Sequence, residues 1–150
     1  MMKRYLPVLS VALAAVFFGI ALYITIAEQP ARLALADAPS LAEWKVSFEV
    51  GFMVQGTLTV LAGICGIAAW WFVRDWRFIA GGLFMLANLP WTLAMIAPVN
   101  NSLTGTGADA ASAASRALIE QWGQLHSVRT GFALIATMLF IWGLARRQSG

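Results

Sequence analysis

The stretch that decides the fold is Tyr5-Leu-Pro-Val-Leu-Ser-Val-Ala-Leu-Ala-Ala-Val-Phe-Phe-Gly-Ile-Ala-Leu-Tyr-Ile-Thr-Ile-Ala27, a run without one charged side chain. A helix crosses a ~30 Å hydrocarbon core with about 20 apolar residues. In lipid the backbone must satisfy its own hydrogen bonds, so a run of this kind is expected to be a helix. A secretory signal is the rival reading, and Ala36-Asp37-Ala38 resembles a cleavage site. The apolar run outlasts the roughly 7–15 residues of a signal core. Pro39 directly after the site also disfavours cleavage, so a membrane span is the expectation.

Working outward, the whole chain has the same character. Of its 150 residues 60% are hydrophobic and only 11% are charged. Soluble domains are nearer one quarter charged. So few charges cannot coat a water-exposed surface, and most of the surface is expected to face lipid. The net charge of +3 therefore carries no nucleic-acid signal, since the basic residues cluster at the ends of apolar runs. Cys65 is the single cysteine. It forms no internal disulfide and lies inside an apolar run.

Three more apolar runs follow the first. The spans are expected at about 5–27, 48–73, 78–97 and 128–145, with longer connectors at 28–47 and 98–127. Pro30 is expected to end the first span and Pro98 the third, because proline lacks the amide hydrogen and disfavours helix before it. Pro90 should kink the third span, with Asn88 placed to satisfy backbone groups freed there. Arg74-Asp75-Trp76-Arg77 reads as a tight turn. Thr104 to Ala114 reads as an exposed loop and Ser115 to Leu125 as an amphipathic lead-in to the last span. Two small-residue stripes suit close helix packing. One is Ala12, Ala15 and Gly19. The other follows Glu49, Met53, Gly56, Val60, Gly63 and Ile67.

The fold class expected is all-α, a membrane-embedded four-helix bundle in a single domain, 1–150. Lys3 with Arg4, Arg74 with Arg77, and Arg146 with Arg147 flank one side. The positive-inside rule makes that side cytoplasmic, with both termini there. The expected location is a bacterial inner membrane, crossed several times.

That orientation brings polar residues to one outer end: Glu28, Glu49, Asn100 with Asn101, and His126 with Arg129. His126 is the lone histidine. Trp122, His126 and Arg129 fall within about 60° of one another on a helix. Each alone suits an interfacial anchor, as do Trp44, Trp70, Trp71 and Trp76 for an aromatic belt. Together they mark a candidate site, because charges kept inside a membrane need a reason. No phosphate loop, hydrolase triad or metal-ligand spacing is present. Neither a metal nor another cofactor is expected.

Ile26-Ala-Glu28-Gln29-Pro30-Ala-Arg32-Leu33 forms one mark. Pro90-Trp-Thr-Leu93, followed by Pro98-Val-Asn100-Asn101-Ser-Leu103, forms a second. Trp122-Gly-Gln-Leu-His126-Ser-Val-Arg129-Thr130 forms a third. Together they resemble the anthrone oxygenase-like family of small four-helix membrane proteins. The resemblance covers nearly the whole chain. It implies oxygenation of an anthrone to an anthraquinone with no metal or flavin. Gln29 departs from the family pattern, in which a histidine often precedes the proline, and some members carry asparagine in place of the last histidine.

Two functions follow as expectations. In the first, a lipophilic anthrone or phenol enters from the bilayer between the helices. His126 or Glu49 acts as general base, and Arg129 and Asn100 hold the resulting enolate oxygen. Glu28, Arg32, Asn101 and Trp122 line the substrate. In the second, the bundle is non-enzymatic. It holds a quinone or lipid, or serves as a subunit of a membrane complex or homo-oligomer through its small-residue faces. Neither reading involves nucleic acid. A transporter ranks below both, since no inverted repeat is visible.

Overall fold

The computed structural model describes residues 2–148, with side chains from 5 to 147. Met1, Ser149 and Gly150 lie outside the described residues, as do the side chains of Lys3 and Arg4. Helix α1 is Met2–Tyr23 and α2 is Gln29–Leu33, joined by a π-helical turn, Ile24–Glu28. Helix α3 is Asp37–Val73. Helix α4 is Trp76–Trp91 and α5 is Ala97–Gly105, joined by a second π turn, Thr92–Ile96. A short 3-10 turn, Ala108–Ala110, precedes α6, Ala113–Gln148.

These elements make four rods in a ring. α1 and α4 each pack on both α3 and α6. Among the described residues, four helices are long and apolar enough to cross a membrane. Large hydrophobic side chains such as Val16, Ile26, Met53, Leu93 and Met138 point outward. An outer surface this apolar suits lipid and would aggregate in water. The all-α four-helix bundle expected from the sequence is the fold observed.

The prolines act differently from the expectation. Pro30 does not end the first rod, and Pro98 does not end the third. In each case a five-residue π turn lies two positions before the proline. Gln29 donates its amide to the Ile24 carbonyl, and Ala97 donates to the Thr92 carbonyl. The wider turn moves the carbonyls that a proline ring would otherwise strike, so the rod continues. The helix also runs through Pro90 to Trp91. Asn88 Nδ2 donates to the Met85 carbonyl at 3.0 Å one turn below. The expected connectors therefore shrink to short breaks, at 34–36 between α2 and α3 and between α5 and α6. The amphipathic lead-in merges with the last span into one 36-residue helix.

The turn between α3 and α4 is as tight as expected. Arg74 caps α3 at φ 57°, with its amide on the Trp70 carbonyl. Asp75 caps α4 by accepting from the Arg77 amide. Above this turn the two helices meet at glycines. A Cβ on Gly82 would lie 2.9 Å from the Gly63 carbonyl oxygen, and one on Gly66 would strike the Phe140 ring at 2.6 Å. Only Gly63 and Ile67, the last two of the six residues in the predicted α3 stripe, pack in this way. Gly63 is buried, but Glu49, Met53 and Val60 are exposed, and a Cβ on Gly56 would meet nothing within 4 Å. Ala12, Ala15 and Gly19 also face outward. The buried face of α1 runs instead through Ser10, Ala14, Phe17 and Ala21.

The end of the bundle away from the α3–α4 turn is closed by Arg32, whose side chain is fully buried. It pairs with Glu28 and Glu43, and it donates to Gln29 Oε1 at 2.8 Å and Ser47 Oγ at 2.7 Å. Lys45 donates to the Thr106 carbonyl at 2.6 Å, and Arg116 to the Leu33 carbonyl at 2.7 Å. Both bonds satisfy carbonyls at or just beyond helix C-termini. Trp44 and Trp122, expected at an interfacial belt, belong to the core at 0% and 7% exposure.

Two substitutions test this architecture. Gly82→Val should cost about 1–3 kcal/mol through overpacking, whereas Gly56→Ala should leave stability equal or slightly higher. Thermal unfolding in detergent micelles measures both. Arg32→Met should cost about 3 kcal/mol, because Glu28 and Glu43 lose the cation that compensates them. An Arg32→Met protein that unfolds at the wild-type temperature would show that this cluster does not hold the outer end.

Candidate functional site

The site is built on one face of α6. Trp122, His126 and Arg129 recur at helical spacing, and all three line one cavity of about 30 Å³. The ring of His126 stacks under Trp122, with centroids 4.9 Å apart and planes 23° apart. The Trp122 Nε1 donates to Asn100 Oδ1 at 3.0 Å. Trp44 meets Trp122 edge-on at 6.0 Å, and the Arg32 guanidinium lies 5.5 Å from the Trp122 ring centroid. Trp122 is thus clamped from several sides, and it fixes the plane of His126. The Arg129 guanidinium rests 5.5 Å from the Phe17 ring centroid.

Both π turns open onto this cavity. Ile24 and Glu28 come from the first, and Thr92 and Ile96 from the second. A π turn shifts the register of a helix face, so it can present residues four apart to the same cavity. The turns that rescue Pro30 and Pro98 therefore also shape the site.

Several buried polar atoms here have no partner. His126 is 1% exposed and its Nδ1 makes no hydrogen bond. Arg129 Nε and Gln55 Oε1 are likewise unpartnered, with Gln55 on the facing side of α3. Orphaned polar groups inside a protein are rare and costly. The cavity is large enough for about one water molecule. A second cavity, of about 200 Å³, shares Phe52, Thr92 and Arg129 with the first and reaches Thr59 and Asn88. The combination offers an imidazole, a guanidinium and carboxamides between aromatic and aliphatic walls. Such a site can move a proton and hold an oxyanion away from water.

The structure brings together His126, Arg129, Asn100, Trp122 and Glu28 at the first cavity. Three other candidates lie elsewhere. Glu49 is exposed on the outward side of α3, because the inward face passes through Phe48, Gln55 and Thr59. Asn101 is exposed, one residue around α5 from buried Asn100. Arg32 is buried but committed to its carboxylates, and it reaches the site through Glu28, Ser47 and Trp122. Gln29, where the chain departs from the family pattern, is also structural. Its Nε2 donates to the Ile119 carbonyl at 2.8 Å, and its side chain packs against Gly123.

Sequence reasoning passed over Gln55 and Thr59. A signal existed, since both are polar residues within an apolar run, on the helical face set by Phe48 and Phe52. No group of three or more His, Cys, Asp or Glu side chains converges among the described residues.

Comparison with known proteins points the same way. The sequence profile of the anthrone oxygenase family matches residues 44–139. That range holds Gln55, Asn100, Trp122, His126 and Arg129, but not Glu28 or Arg32. An anthrone oxygenase of Cryptosporiopsis sp. is 28% identical over 113 residues, covering 69% of this chain and 64% of that protein. An anthrone oxygenase of Claviceps purpurea is 27% identical over 120 residues, covering 72% and 69%. The chain thus spans just under two thirds of the length of the first of these relatives. No solved structure matches it. With the profile aligned over most of the chain and over the α6 face that carries the site, the chain belongs to the anthrone oxygenase family.

Proposed function

We propose that this protein is a cofactor-independent oxygenase of a lipophilic, anthrone- or phenol-like aromatic, working at the outer end of a bundle in a bacterial inner membrane. The observation that carries the reading is the set of unpartnered polar atoms on His126, Arg129 and Gln55, held around one apolar-walled cavity. A phenolic ligand with an ionisable CH₂ conjugated to a carbonyl would supply their missing partners, the carbonyl accepting from Arg129 Nε and the hydroxyl donating to Gln55 Oε1. The curated relatives named as anthrone oxygenases support the same class of substrate.

The chemistry balances without an added electron carrier. His126 removes a proton from the activated CH₂ of the substrate, and the charge moves through the conjugated rings onto the carbonyl oxygen as an enolate. Arg129 and the Asn100 amide hold that oxygen in a dry site, where such contacts are strongest. The carbanion adds dioxygen and receives the proton back to give a hydroperoxide. Loss of water then leaves a new carbonyl. The CH₂ has become C=O, one oxygen atom of O₂ leaves as water, and His126 returns to its starting state. Stacking on Trp122 keeps the imidazole in one plane during both transfers.

The termini are proposed to face the cytoplasm, so the site lies near the periplasmic interface. The outward Ala12, Ala15 and Gly19 face of α1 leaves room for a helix of another chain, which is where a homo-oligomer or complex partner would sit.

Oxygen consumption with anthrone, measured on the purified protein in liposomes, tests the oxygenase reading. His126→Ala should lower kcat/KM about 10²–10⁴-fold, the usual contribution of a general base. Arg129→Met should lower it about 10²–10³-fold, as for a lost oxyanion donor. Glu49→Gln should leave it within twofold. If the His126→Ala protein keeps its helix content and turns over at the wild-type rate, His126 is not the base; if the wild type consumes no oxygen with anthrone, the non-enzymatic reading replaces this one.

A further inference from the structure

The second cavity lies between α3 and α4. Its walls include Phe52, Gly56 and Thr59 from α3, and Asn88, Leu89 and Leu93 from the facing rod. Phe52 is 56% exposed and Leu93 is 73% exposed, so this cleft opens sideways onto the apolar outer surface. Thr59 and Asn88, each 1% exposed, sit deeper, and Thr59 Oγ1 and Asn88 Oδ1 have no partner. Phe52, Thr92 and Arg129 border both this cleft and the His126 cavity.

The alternative route, through the outer end, is filled. Arg32 with its carboxylates, the stacked Trp44 and Phe48, and the Lys45 bond to the Thr106 carbonyl occupy it. Gly56 adds an independent observation. A glycine within a helix costs roughly 0.5–1 kcal/mol relative to alanine. Gly63 and Gly82 are needed for a close approach, but a Cβ on Gly56 would meet nothing within 4 Å. The bare backbone at Gly56 widens the cleft and serves no helix contact.

We propose that this cleft is a lateral port, through which a lipophilic aromatic ketone passes from the bilayer to the His126 cavity. Phe52 is the side chain that swings aside. Its ring touches only Phe48 among the aromatic contacts, at 5.6 Å, and it stands between the lipid face and Arg129. Once it moves, the two cavities join into one space, and the small His126 cavity becomes the inner end of a larger site. Asn88 and Thr59 meet the polar edge of a ligand whose carbonyl is directed to Arg129. The inference rests on the oxygenase reading for what happens at the inner end, not for the path.

The test uses 4-hydroxybenzophenone, a photoreactive aromatic ketone, dissolved in phosphatidylcholine liposomes holding the full chain. After near-ultraviolet irradiation, peptide mass spectrometry locates the adducts. In the wild type, adducts are expected at Leu93 in the cleft and at Ile24 or Ile96 in the inner cavity. Gly56→Trp fills the cleft and should lower inner-cavity labelling at least fivefold, with helix content unchanged by circular dichroism. Phe52→Ala should raise the rate of inner labelling threefold or more. Met138→Trp, at an outward-facing position of α6 away from both cavities, should leave labelling unchanged. Inner labelling that survives Gly56→Trp, or is absent from the wild type, overturns the port. The two readings fail separately. Labelling as expected without oxygen uptake removes the oxygenase and keeps the port. Oxygen uptake whose kcat/KM survives Gly56→Trp removes the port and keeps the oxygenase.

Discussion

Where Gly63 meets Gly82 two helix backbones approach so closely that a Cβ would lie 2.9 Å from a carbonyl oxygen, and much else depends on it. Helices α3 and α4 are tied by a tight turn at Arg74 and Asp75, so they must rise together from that end. Glycines let them touch without side chains between them. Farther from the turn the facing residues are Phe52, Thr59, Leu89 and Leu93, and there the helices leave open space. Lipid supplies no hydrophobic drive between helices, so close backbone packing has to hold the pair. One end of the pair is then dense, and the other is free to hold a cavity.

The outer end is stabilised by charge. Arg32 sits below the surface with two carboxylates, a carboxamide and a hydroxyl around its guanidinium. Five donors in a rigid fork suit several partners at once, where a lysine would offer one point charge. This cluster also presses on Trp122, which in turn sets the plane of His126. A residue that does not line the His126 cavity therefore orders one inside it. Arg129 contrasts with Arg32. Both are buried arginines, but Arg129 keeps Nε without a partner and faces the cavity. The difference separates a cation committed to the bundle from one with a donor left to offer.

Much of the fold was legible because its rules are local. The uncharged run from Tyr5 to Ala27 and the three runs after it define four helices by length and composition alone. The Arg74–Arg77 turn was legible for the same reason. The prolines were not, because their effect depends on whether the preceding turn can widen. At Ile24–Glu28 and Thr92–Ile96 it does, and neighbouring helices stabilise the result. On the site, the spacing of Trp122, His126 and Arg129 showed a common face. Glu49 and Asn101 were misplaced for one reason: each is a residue from the correct end of a span on the wrong side of its helix. Sequence position fixes depth in the membrane to within a turn, but helix rotation is decided by packing.

By itself, then, the sequence determined that the chain forms four helices long and apolar enough to cross a membrane, at which end its polar residues gather, and which family it resembles. Hydrophobic run length and charge placement suffice for that, since lipid admits few alternatives. The tertiary structure alone decided which polar residues meet. It turned Gln55, Thr59 and Asn88 inward, turned Glu49 outward, and spent Arg32 on a structural cluster. The physical reason is that a cavity is a property of several helices at once. Its lining depends on rotations and on π-turn register shifts that no single helix carries in its own pattern.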